Sequence, residues 1–159
     1  MPDELEPPPT TAGHGPPPRA RGRGRAEPSV LAAIALGGAL GAPVRYGVTQ
    51  LFPGGLGRFP WGTVTANVTG SFALGLALAL ILDRFPPTRY LRPFVATGFL
   101  GAYTTYSTFA VEADLLVRDG SPIVAVGYAA GSLLAGLAAA GVGIRAARIV
   151  PPLGRADTR

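Results

Sequence analysis

Four stretches of this chain are too long, too apolar and too poor in charge to belong to a soluble fold. The first runs from Ser29 to about Phe52 with Arg45 as its sole charge, and the second, from Phe59 to Leu82, has no charge at all. The third goes from Pro93 to Val111 and the fourth from Gly120 to Ile144. A helix needs roughly 20 predominantly apolar residues to cross the hydrocarbon core, so all four qualify as spans, the third narrowly. Only 14% of the residues are charged against 48% hydrophobic, well below the charged share of ordinary soluble domains. Most of the 23 glycines lie between the tails, where small residues suit packed transmembrane helices. The expected fold class is an all-α membrane protein of four transmembrane helices, occupying residues 29–145.

Residues 1–28 are rich in Pro and Arg and have almost nothing to bury, so a disordered N-terminal tail is expected there. Residues 146–159 form a basic C-terminal tail. An Arg-rich segment before an apolar run also describes a secretory signal peptide. That reading fails because the leader is long and proline-rich, the first stretch continues past Arg45, and three further spans follow. Short connections at Pro53-Gly54-Gly55, Asp83 to Arg92 and Arg118 to Ser121 make successive helices neighbours in an up-down arrangement. Trp61 and Tyr90 stand at span edges, as interfacial aromatics do.

With no Cys and one His, His14 in the leader, the chain cannot hold a disulfide framework, a thiolate metal site or a Cys/His dyad. Ser107 and Ser132 have no His to activate them and no carboxylate pair is placed for acid/base work, so an enzyme is not expected. The net charge of +5 comes from arginines that flank the spans, the layout of membrane orientation rather than of nucleic-acid binding.

The chemistry lies in the polar residues inside the spans. Span one places Gly37, Gly41 and Arg45 on one face, a close-packing stripe that ends in a cation. Arg45 either attracts anions at a pore mouth or anchors the span at the interface. Span two carries Thr63, Asn67, Gly70 and Ser71 down one stripe. The Asn67 amide must be satisfied away from lipid, so it either glues helices or lines a wet path. Span three has Gly98 and Gly101 followed by Thr104-Thr105-Tyr106-Ser107-Thr108-Phe109. Glycines followed by hydroxyls at mid-membrane depth predict a locally broken helix, whose freed carbonyls can ligate a hard cation such as Na⁺. The alternative is an intact helix in which Thr and Ser bond back to their own carbonyls. Tyr106 and Phe109, three apart, share a face, and Tyr128 and Ser132 form a weak polar track on span four.

These residues carry a resemblance. From Gly37-Gly38 through Gly41-Ala42 to Arg45-Tyr46, then Gly62-Thr63, Asn67 and Gly70-Ser71-Phe72, and above all from Gly98 to Phe109, the chain resembles the Fluc/CrcB fluoride channels over roughly residues 31–144. The resemblance implies an antiparallel dimer of four-helix subunits with two fluoride pores and one structural Na⁺. Gly101 and Thr104 would supply the Na⁺-ligating backbone carbonyls. Asn67 would be the pore amide, Tyr106 and Phe109 the pore rings, Ser107 and Thr108 hydroxyls near the path, Tyr128 and Ser132 the track, and Arg45 the mouth arginine. Tyr106 stands where the family usually has Phe, and Gly136 where a further hydroxyl can occur. The implied function is fluoride export across the cell membrane.

The rival reading is a small four-span multidrug or cation exchanger, which needs an ionisable group inside the membrane. No carboxylate occurs inside spans one, two or four, and Glu112 and Asp114 fall at the end of span three. Eleven arginines lie on the side holding both tails and the Asp83 to Arg92 loop, against Arg58 and Arg118 on the other. Positive residues near span ends are retained in the cytoplasm, which predicts cytoplasmic termini. So strong a bias leaves two dimers open, one of the chain with itself and one with an oppositely oriented homologue.

Overall fold

The computed structural model describes residues 27–52, 58–84 and 89–149. Most of the expected tails at 1–28 and 146–159, namely residues 1–26 and 150–159, and the Pro53-Gly54-Gly55 turn lie outside the described residues. Three long helices, α1 (Pro28–Gln50), α2 (Trp61–Arg84) and α5 (Pro122–Ile149), have 23, 24 and 28 residues. At 1.5 Å of rise per residue, each is longer than the roughly 30 Å hydrocarbon core. Pro28 and Pro122 open α1 and α5, where a missing N–H removes no helical bond. α5 continues past the expected end at Ile144, so Arg145 and Arg148 lie on helix rather than in a tail. Cations there suit the negative end of the helix dipole.

The third span is broken where the glycines and hydroxyls predicted it. A π-wound segment, Pro93–Leu100, leads into the single turn α3 (Gly101–Tyr103). Thr104 is then extended, with φ −82° and ψ 160°, and α4 (Ser107–Arg118) resumes the path. α4 runs seven residues beyond the expected end of the span at Val111, which places Glu112 in the middle of a helix.

The glycine stripe of α1 is a packing face. A Cβ on Gly37 would overlap the Phe94 carbonyl and lie 2.7 Å from the Phe99 nitrogen, and one on Gly41 would overlap the Phe99 carbonyl. Only hydrogen at these positions lets α1 touch the backbone of the π-wound segment, whose wide turns occur where the two helices meet. α2 and α5 pack by the same device, with Gly75 against the Ala140 carbonyl and Gly143 against that of Phe72.

What is left outside is apolar. Leu36, Leu40, Ile123, Leu133, Leu134 and Leu137 are exposed, a surface that would aggregate in water but is solvated by lipid tails. The protein is an all-α membrane protein. At one end Glu27 and Arg89 form an exposed ion pair of 2.9 Å, tying the start of α1 to the residues before the third span. Such surface pairs contribute little stability.

Candidate ion-conduction site

The break in the third span is made by side chains that take over backbone bonds. Asn67, half-buried on α2, brackets Thr105: its Oδ1 accepts the Thr105 N–H at 2.8 Å, and its Nδ2 donates to the Thr105 carbonyl at 2.9 Å. In an intact helix that N–H would donate to the Gly101 carbonyl. Three residues on, the Thr108 N–H donates to Thr105 Oγ1 at 3.2 Å, capping α4. In an intact helix that N–H would belong to the Thr104 carbonyl. The two carbonyls released by these exchanges are those of Gly101 and Thr104. Back-bonding within the span is present only at Thr104, whose hydroxyl donates to the Leu100 carbonyl at 2.9 Å.

The structure brings most of the predicted residues to two cavities on either side of Thr105. An open groove of about 460 Å³ is lined by Asn67, Gly101, Thr104, Tyr106, Phe109 and Ser132, along with Ser71, Thr105 and Gly136. The ring centroids of Tyr106 and Phe109 are 6.1 Å apart, as their shared face predicted. Tyr106 is 80% exposed, so its ring stands free on the surface of the single chain. Asn67 both glues helices and lines the groove. An amide has two N–H donors, and the Thr105 bracket uses one of them.

The second cavity, about 310 Å³, is lined by Arg45, Thr63, Thr105, Thr108 and Glu112 among others. Arg45 does not stand alone: its Nη1 donates to the Thr104 carbonyl over a long 3.4 Å. Ser107 Oγ lies 3.3 Å from Thr105 Oγ1, and Thr105 Oγ1 donates to Thr108 Oγ1 at 3.1 Å. Tyr128 is fully buried, packed on the Phe109 ring at 5.1 Å, and its hydroxyl is turned away to Glu112.

Two residues here, Thr105 and Glu112, lie outside the sequence-based site. By sequence Thr105 is one member of the hydroxyl run, whereas the structure makes it the residue that organises the break. Glu112 accepts from Tyr128 Oη at 2.7 Å and from Thr63 Oγ1 at 2.9 Å, joining α4 to α5 and α2. Its signal was legible: Glu112 follows Thr105 and Thr108 by seven and four positions, on the same face of the half-helix. The exclusion of an exchanger by lack of an embedded carboxylate therefore weakens. Among the described residues no group of His, Cys, Asp or Glu could hold a metal ion. The oxygens available to a hard cation at the groove are neutral ones, main-chain carbonyls among them.

A polytopic helical membrane protein, whose broken span opens neutral hydrogen-bond donors and aromatic edges onto a groove, has the makings of an ion pathway. Residues 32–144 match the family described as CrcB-like protein, Camphor Resistance (CrcB). The chain belongs to this family, which is one of ion channels and not of enzymes. It is 49% identical over 127 residues to a protein of Streptomyces avermitilis named fluoride-specific ion channel FluC 3, covering 80% of this chain and 62% of that one. It is 43% identical to fluoride-specific ion channel FluC 2 of Nocardia farcinica, over 77% of this chain and 87% of the relative. The FluC channel of Magnetococcus marinus is 40% identical over 76% of this chain and 98% of its own length.

Proposed function

We propose that this chain forms a fluoride channel of the cell membrane that lets fluoride leave the cytoplasm down its gradient. The observation that carries the reading is the half-committed Asn67 amide, on a residue that lines a groove together with Phe109 and Tyr106. Fluoride is small and tightly hydrated, so a pore must replace its water without holding it too strongly. Neutral donors and the positive edges of aromatic rings meet both demands. The names of the relatives support the same ion.

The groove is open on the single chain and Tyr106 is exposed within it, so a second copy in antiparallel pairing, or an oppositely oriented homologue, would close it. A structural Na⁺ fits the donor set. Gly101 and Thr104, whose carbonyls the break frees, are among the residues that line the groove, and two chains would offer four such oxygens. When bound, the ion would neutralise carbonyl dipoles that the broken ladder leaves unpaired. Arg45 uses one lone pair of the Thr104 carbonyl and leaves the other. Both termini lie in the cytoplasm on the arginine balance, and comparable cytoplasmic and external signals from a C-terminal topology reporter would overturn that placement.

Purified protein in liposomes, loaded with fluoride or with chloride, tests the function. Rapid fluoride efflux with negligible chloride efflux is expected, and proton-coupled drug or cation exchange without fluoride flux would favour the exchanger through Glu112. In the same assay Tyr106→Phe keeps its flux, because the ring edge is retained. Complete loss would make the Tyr106 hydroxyl itself a required donor.

A further inference from the structure

α2 and α5 run side by side in one constant register. Ser71 faces Gly136 and Gly75 faces Ala140, both pairs 65 positions apart. The same offset, continued one and two helical turns back, pairs Asn67 with Ser132 and Thr63 with Tyr128. Thr63 and Tyr128 do meet, through the carboxylate of Glu112. The two helices thus make a ladder with a rung at every fourth residue.

The rungs differ in what fills them. At Gly75 the helices are closed, because even a Cβ there would overlap the Ala140 carbonyl. At Asn67 and Ser132 the rung is polar and open to the groove. Ser132 Oγ is buried with no hydrogen-bond partner, and leaving such a hydroxyl unpaired is unfavourable. Between these lies the rung of Ser71 and Gly136. Gly136 brings no side chain, and a Cβ built on it would be 3.4 Å from Ser71 Oγ. Ser71 Oγ has no partner among the described residues either. Both residues of this rung line the groove.

We propose that Ser71 is an anion donor of the conduction path, acting in the space that Gly136 leaves empty. The Asn67 amide, the Ser132 hydroxyl and the Ser71 hydroxyl then form three successive neutral donors, ending where Gly75 and Ala140 close the ladder. Each hydroxyl lacks a protein acceptor, so a desolvated fluoride supplies the bond that is missing. This inference rests on the fluoride-channel reading and extends it to a residue on α2 and a bare position on α5.

Fluoride efflux from liposomes tests it with four variants that leave the bulk of the helix interface unchanged. Ser71→Ala and Ser71→Cys, the latter a weak donor of similar shape, are expected to lower fluoride flux about tenfold. Ser71→Thr keeps the hydroxyl and stays near the wild-type rate. Gly136→Ser, added to Ser71→Ala, sets a hydroxyl on the opposite side of the same rung and restores most of the flux. Wild-type flux in Ser71→Ala overturns the proposal while the channel reading stands. So does a loss that Gly136→Ser fails to recover in a variant that elutes as the wild-type assembly. No fluoride flux from the wild-type protein overturns both.

Discussion

Asn67→Ala is expected to lower fluoride flux by about two orders of magnitude and to destabilise the protein by about 2–3 kcal/mol. Two effects combine. The variant removes a pore donor, and it removes both bonds that bracket Thr105, each worth about 1 kcal/mol when buried. Without the bracket the Thr105 N–H is free to return to the Gly101 carbonyl, and the third span loses part of its break. Asn67→Asp separates the two effects. A carboxylate still accepts the Thr105 N–H, so the break persists, but it donates nothing and adds a negative charge that repels an anion. Efflux measurements together with thermal unfolding in detergent distinguish the cases: Asn67→Asp loses flux with a smaller stability loss than Asn67→Ala. Normal flux in both variants of correct assembly would sink the pore assignment.

The second large effect concerns the cation. If Na⁺ sits on the freed carbonyls, exchanging it for a bulky organic cation during purification is expected to lower the melting temperature by about 5–10 °C. That is the size of the linkage for an ion present at about a hundred times its dissociation constant. Backbone oxygens cannot be mutated away, but the residue that frees one of them can. Thr105→Val keeps the shape and deletes the hydroxyl that captures the Thr108 N–H, so that N–H returns to the Thr104 carbonyl and removes a ligand. The variant should melt at the same temperature in either cation. A wild-type protein indifferent to the exchange argues against the site, and a Thr105→Val protein that keeps full Na⁺ dependence argues against this role for Thr105.

Glu112 illustrates why part of the site was hidden. By sequence it follows an apolar span and resembles the first charge of a loop. The half-helix α4 continues to Arg118, however, with Asp114 and Arg118 paired four residues apart on its outer face at 2.7 Å. Glu112, two residues before Asp114, is turned inward to Thr63 and Tyr128, 49 and 16 positions away along the chain. Hydropathy places a carboxylate at a span end but says nothing about which donors wait for it across a helix interface.

Local chemistry in the sequence by itself determined the spans, the glycine face of α1 and the place of the break. Apolar length dictates crossing, four-residue glycine spacing permits close approach, and Gly98, Gly101 and the following hydroxyls mark where the ladder can break at mid-membrane depth. Only the tertiary structure decided which groups complete that break. The Asn67 bracket spans 38 positions, and the ladder of α2 against α5 spans 65. Both depend on the register in which whole helices settle. That register follows from where glycines permit backbones to touch, a condition on two distant surfaces at once, and no periodicity within one helix encodes it.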